Sequence, residues 1–138
     1  MVVTLEFQLA TKGYCDFHRI TEPVAQAVRS SDLNSGIALV FTPSATSAIT
    51  TVEYESGMLA DFEAFLERVA SQAWDYKHNE RWHDGNGFSH VRAALLGPSV
   101  SVPFVAKELI LGTWQEITFI DFDNRPRSRR IVVQLVGE

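Results

Sequence analysis

Three of the chain's four histidines fall in one short polar segment, His78-x4-His83-Asp84-x-Asn86-x3-His90. Imidazole nitrogens beside a carboxylate suit a borderline divalent ion such as zinc. His90 opens a helix-like stretch directly after Gly85-Asn86-Gly87, a turn that can bring it back toward an upstream histidine. The spacing is not the His-Glu-x-x-His pair of a metalloprotease, and the single cysteine, Cys15, lies far away in sequence. The same residues also have an ordinary use. Asp84 and Asn86 are turn formers before glycines, His83 follows Trp82 and is readily solvated, and His90 among Val91, Ala94 and Leu95 suits a half-buried, hydrogen-bonded position. Spacing alone leaves both readings open.

Two other groups carry polar chemistry. The run Thr42-Pro-Ser-Ala-Thr46-Ser47-Ala-Ile-Thr-Thr51, leading to Glu53, is rich in hydroxyls. With free backbone N–H groups these can hold phosphate oxygens, although Ser and Thr are equally common on exposed strand faces. The run Arg125-Pro-Arg127-Ser-Arg129-Arg130 gathers four of twelve basic residues. Arginine forks match carboxylates and phosphates, and between two strands such a cluster is expected to be a solvated hairpin or an intersubunit ion-pair site. Arg92, two residues beyond His90, is the cation expected to reach an anion held at the same loop. No glycine-rich nucleotide loop and no Gly-x-Ser-x-Gly elbow is present.

These groups must be positioned by regular elements. Val3, Leu5, Phe7 and Leu9 alternate with Thr4, Glu6 and Gln8, the period of a strand with one buried face. Thr21-Glu22-Pro23 reads as a helix start with Thr21 as the cap, ending near 30–34. Segments 36–42 and 47–53 read as strands joined by a polar turn, and Met58, Phe62, Phe65, Leu66 and Val69 mark a helix over about 57–72 whose apolar face is expected in the core. Residues 74–88 have no sustained period and read as a loop; a short helix over 89–96 follows. Alternation returns at 100–104, 109–111, 117–122 and 131–136. Strands outnumber helices, so the class is α+β with antiparallel sheets and two or three helices.

The chain has 138 residues, 46% of them hydrophobic, enough for a single domain over 1–138 with a sizeable core. Twelve Lys and Arg against seventeen Asp and Glu give a net charge of −5, which argues against nucleic acid or anionic lipid as a partner. The uncharged stretch 33–52 is interrupted by Asn34, Gly36 and Pro43 and does not read as a membrane span. No charged and apolar leader precedes the first strand pattern, and one cysteine makes no internal disulfide, so a cytoplasmic protein is expected.

Three segments together carry a resemblance: Asp84-Gly-Asn-Gly-Phe-Ser-His-Val-Arg-Ala-Ala-Leu-Leu-Gly-Pro-Ser99, Leu111-Gly-Thr-Trp-Gln115, and Arg129-Arg-Ile-Val-Val-Gln-Leu-Val-Gly-Glu138. In that order the chain resembles the YjbQ family, whose members are also called secondary thiamine-phosphate synthases. The resemblance implies a two-sheet antiparallel β-sandwich, a homotrimer, and a weak coupling of a pyrimidine pyrophosphate to a thiazole phosphate with release of pyrophosphate. It also implies roles for residues. His78 and His90 would be ligands of a divalent metal ion, zinc or magnesium. Glu53, Asp84 and Arg92 would be catalytic, and Thr46, Ser47, Asn86 and Arg92 would bind a phosphorylated small molecule. Many relatives carry a histidine where this chain has Ser44, so a metal shell using that position would be incomplete here. The expected site has Glu53 and Arg92 close to the histidine pair, with Trp82, Phe88 and Trp114 as its walls. The alternative reading is a module that holds a metabolite or metal without turnover.

Overall fold

The computed structural model describes residues 1–138. The elements in chain order are β1 (Val2–Thr11), β2 (Asp16–Arg19), α1 (Thr21–Ser30), β3 (Gly36–Phe41), β4 (Ser47–Val52), α2 (Ser56–Val69), α3 (Lys77–Trp82), α4 (Gly87–Leu96), β5 (Ser99–Val105), β6 (Glu108–Leu109), β7 (Glu116–Asp121) and β8 (Arg127–Gly137). They form an α+β structure with a five-stranded sheet ordered β1-β8-β3-β5-β6 and a three-stranded sheet ordered β2-β7-β4. Every strand pair is antiparallel.

Alternation decides which residues face inward. In β8, Ile131, Val133 and Leu135 point to the core together with Ala38 and Val40 of β3 and Val102 and Phe104 of β5. They meet Ile49 of β4 and Ile117 and Phe119 of β7 from the other sheet, which makes the two-sheet core of a sandwich. The opposite face of β7 is also covered, because Ile120 and the following Phe122 pack with Cys15, Ala48 and Leu66 of α2. β7 is therefore buried on both sides, and its sequence is apolar without full alternation. Burial among these side chains pushes the Cys15 thiol up to about 12, with the nearby Glu63 charge adding to the effect, so it stays protonated at neutral pH.

Several expectations need correction. There are four helices rather than two or three. The fourth, α3, lies inside the segment expected to be a loop. It is six residues long, polar apart from the exposed Trp82 and buries none of them, so no apolar stripe announces it. In α2 only Leu66 is buried, while Phe65 and Val69 are about half exposed, because the helix touches the three-stranded sheet along a narrow line. Thr21 is not the cap of α1. The cap position is Ile20, and the Thr21 hydroxyl instead accepts the Ile117 N–H at 2.9 Å and donates to Glu116, tying the helix to β7. The strands 36–41 and 47–52 are consecutive but lie in different sheets. No helix is long and apolar enough to cross a membrane.

Candidate functional site

The two histidines expected to converge do so. His78 sits on α3 and His90 on α4, with ring centroids 4.3 Å apart and planes tilted by 35°. The chain reverses between them through left-handed His83 (φ 58°) and Gly85 (φ 69°). Gly87 then starts α4 beneath Tyr76, where a Cβ atom would come within 2.6 Å of the Tyr76 Cβ, and its N–H donates to Asn79 Oδ1 at 2.8 Å. Small residue size thus sets the approach of the two helices. His83 serves as the left-handed end of α3 and is exposed.

His78 Nδ1 lies 3.4 Å from Asp84 Oδ1 but is buried and makes no aligned hydrogen bond. Burial and the neighbouring His78 hold the His90 imidazole below its usual pKa, against a weaker upward pull from Asp84 and Asp123. His90 is consequently neutral at pH 7, the form that accepts a proton or ligates a metal. Beside it opens a cleft of about 370 Å³ lined by Ser44, Ser47, His90, Ala93, Ala94 and Pro98. Within this chain no group of three His, Cys, Asp or Glu side chains stands in ligating arrangement. The fit to a metal is therefore that of two nitrogen donors, one an unpaired buried Nδ1, with Asp84 at the margin.

The other expected site residues divide. Thr46 is buried; its Oγ1 accepts from Arg129 Nη2 at 2.7 Å and donates to Asp123 Oδ2 at 3.3 Å. The Ser47 hydroxyl is paired with Thr42 Oγ1 at 2.8 Å. Both hydroxyls are engaged inside the protein instead of being free for a ligand. Asn86 Nδ2 donates to Asp123 Oδ1 at 3.2 Å, while Asn86 Oδ1 is buried without a partner.

Glu53 and Arg92 are not brought to the histidines. Glu53 follows the far end of β4, six strand residues or roughly 20 Å from Ser47. It lines a separate hollow of about 310 Å³ with Arg19, Tyr54, Glu55, Trp114 and Glu116. Arg92 is fully buried: Nε donates to Ala70 O at 3.0 Å and Nη2 to Glu67 Oε2 at 2.9 Å, with the Phe88 and Phe122 rings 5.2 and 5.8 Å from its guanidinium carbon. The reason is helical geometry. Residues two apart are about 200° apart around a helix, so His90 facing the cleft turns Arg92 away from it. The expected aromatic walls fail too, since Phe88 is buried against Arg92, Trp82 is exposed on α3 and Trp114 belongs to the Glu53 hollow.

The sequence reading missed a buried ion network under the site. Asp121 and Asp123 are fully buried. Asp121 accepts from Arg129 Nε at 2.7 Å, Arg129 Nη2 at 3.0 Å and Thr11 Oγ1 at 2.7 Å. Asp123 accepts from Arg127 Nε at 2.9 Å, from the Asn124 N–H at 2.8 Å, and from Asn86 and Thr46. Burial alone would raise the Asp123 pKa, but the bonds from Asn86, Asn124 and Arg127 outweigh it and hold the carboxyl below its ordinary range. The arginine cluster is thus only partly a solvated hairpin. Arg129 keeps the inward phase of Ile131, Val133 and Leu135, and that alternation was the signal available for it.

Comparison with known proteins agrees with this architecture. Residues 5–138 match the family described as UPF0047 protein, YjbQ-like. A UPF0047 protein of Archaeoglobus fulgidus is 40% identical over 130 residues, covering 94% of this chain and 98% of the relative. One of Methanothermobacter thermautotrophicus is 41% identical over 137 residues, covering 99% and 94%. The crystal structure of an uncharacterized conserved protein of the YjbQ/UPF0047 family from Clostridium acetobutylicum superposes with a TM-score of 0.87 at 36% identity, covering 96% of this chain and 99% of that one. The motifs of the loop, the Leu-Gly-Thr-Trp-Gln segment and the C-terminal strand thus sit on a shared fold, and the chain belongs to the YjbQ-like UPF0047 family.

Proposed function

We propose that the His78–His90 pair and the cleft beside it form a divalent-metal site that takes a phosphorylated small molecule. The observation that carries this reading is the 4.3 Å ring-to-ring approach of two half-buried imidazoles, His90 lining a cleft and His78 against it with a buried Nδ1 that makes no hydrogen bond. Buried polar atoms are normally satisfied, and one left open beside a cleft points to a ligand. Two imidazoles favour a zinc-type ion over magnesium, which prefers oxygen and water. Such an ion would supply charge stabilisation for phosphate oxygens.

On this reading the reaction to test is the coupling of a pyrimidine pyrophosphate to a thiazole phosphate. Its leaving pyrophosphate demands that stabilisation. The second reading is a module that binds without turnover, and the small number of ligating side chains favours it. Metal analysis of purified protein and of His90→Ala separates them, together with a pyrophosphate-release assay. Zinc bound and pyrophosphate released, both lost in His90→Ala, supports the transferase. Zinc without release supports the binding module, and no metal in the purified protein or after zinc addition overturns the metal site and leaves only a module that holds a metabolite.

Assembly as a homotrimer belongs to the same proposal. The outer face of the five-stranded sheet carries Ile37, Leu39, Phe41, Val132 and Val136, with Ile37 and Val136 about half exposed. Such a face is suited to burial against other copies. A monomer mass from light scattering at micromolar protein would rule the trimer out.

A further inference from the structure

We propose that Arg125 and Arg127 hold the phosphate of a small phosphate ester whose hydroxyl groups face Asp84 and Asn86. This rests on the reading of the histidine cleft as a site for a phosphorylated ligand, in its form as a binding module since the two coupling substrates have their alcohols already phosphorylated, and it replaces Arg92 as the anchor. A hollow of about 220 Å³ is lined by Asp84, Asn86, Asn124, Arg125 and Arg127, with no apolar residue among them. Asp84 connects it to the cleft through His78, which it approaches at 3.4 Å, and so through the ring of His90.

The two arginines play different parts. Arg127 is fixed: Nε and Nη2 both reach Asp123 Oδ2, at 2.9 and 2.8 Å. Its guanidinium therefore keeps a set orientation and still has N–H groups to spare. Arg125, two residues earlier, is exposed and takes part in none of the ion pairs, so its whole charge is available. Asn124 closes the rim, its Nδ2 donating to Asp84 O at 2.7 Å. Two arginines on the wall of one polar hollow supply the forked donors that suit a phosphate dianion.

The acceptors select what the phosphate is attached to. Asn86 is 7% exposed; its Nδ2 is spent on Asp123 and its Oδ1 has no partner. Asp84 adds a half-exposed carboxylate on the same wall. Both require donors; inorganic phosphate has P–OH groups only on the phosphorus itself, whereas a polyol or sugar phosphate also brings hydroxyls that reach beyond the phosphate.

The test is calorimetric titration of the full chain with glycerol 3-phosphate and with inorganic phosphate, in wild type, Arg125→Gln and His90→Ala, alongside zinc binding. Arg125 makes no internal bond, so Arg125→Gln should keep the wild-type melting temperature. It should weaken glycerol 3-phosphate binding about tenfold or more, the loss of one charge-assisted contact. His90→Ala should lose zinc and Arg125→Gln should keep it, so the metal and the arginine anchor are read separately. Glycerol 3-phosphate affinity unchanged in Arg125→Gln, or no binding of either anion, overturns the proposal. Inorganic phosphate binding as tightly as the ester overturns the assignment of Asp84 and Asn86. Zinc bound with no anion bound sinks this inference alone; Arg125-dependent anion binding without zinc upholds it and sinks the metal reading.

Discussion

Two polar clusters lie against each other, and they differ in how completely their atoms are paired. Around Asp121 and Asp123 every carboxylate oxygen has donors, from Arg127, Arg129, Thr11, Thr46, Asn86 and backbone N–H groups. A few residues away, His78 Nδ1, approached only by Asp84 Oδ1 at 3.4 Å, and Asn86 Oδ1 are buried without a hydrogen bond. The first cluster is complete within the chain and acts as scaffold. The second is incomplete, and incompleteness at a cleft is what a binding site looks like before its ligand arrives. Arg92 marks the border between the cases. Its Nη1 also has no hydrogen-bond partner, but the Phe88 and Phe122 rings face the guanidinium, so the group is accounted for by packing.

The largest effect expected from this contrast is on the scaffold side. Asp121→Ala leaves the largely enclosed Arg129 guanidinium without its main partner and should cost about 3–5 kcal/mol in urea unfolding. A loss under about 1 kcal/mol would mean that the network does not hold the two sheets together. Arg92→Met keeps the aliphatic volume but removes the bonds to Ala70 and Glu67. Glu67 is half exposed and can turn to water, so the expected loss is smaller, about 1–3 kcal/mol, with zinc binding unchanged. Loss of zinc binding in that variant would place Arg92 in the site after all.

The next effect is on protonation. His90 has its folded pKa below the ordinary 6.5 because of burial and the His78 charge. The neutral ring's contribution to stability is therefore fully present above pH 6.5 and is lost as pH falls through the lowered folded value. An NMR titration should find His90 titrating below 6.5, and His78→Asn should move it upward; a His90 that titrates at or above 6.5 in the wild type removes the coupling. The smallest effect is expected at the other end of β4. Glu53→Gln should change stability by less than about 0.5 kcal/mol and leave zinc binding as it is. A Glu53 variant that lost zinc would show that a second copy carries this residue to the histidines.

Much of the scaffold is legible residue by residue. The period of two in Val3-Leu5-Phe7-Leu9 and in Arg129-Ile131-Val133-Leu135 identifies β1 and β8 and their inward faces, and they pair in that register with Phe7 opposite Ile131. The convergence of His78 and His90 was foreseeable because Gly85 and Gly87 permit a tight reversal between them. α3 was not foreseeable, since a short helix with no buried residue leaves no periodic trace. The pairing of Arg127 and Arg129 with buried carboxylates was obscured by their neighbours Arg125 and Arg130, which are exposed and make the whole run resemble a solvated hairpin.

By itself the sequence determined the class, the strands other than the short β2, the family and the pair of histidines, because each of these depends on local period, turn chemistry or motif spacing. The tertiary structure alone decided which polar residues share a site. The 200° step from His90 to Arg92 sends one to the cleft and the other into the core. The extension of β4 keeps Glu53 at the far end from Ser47. Arg127 comes to Asp84 and Asn86 only because the chain leaves β7 in the three-stranded sheet and enters β8 in the five-stranded sheet, between β1 and β3, a long-range arrangement that no local pattern contains.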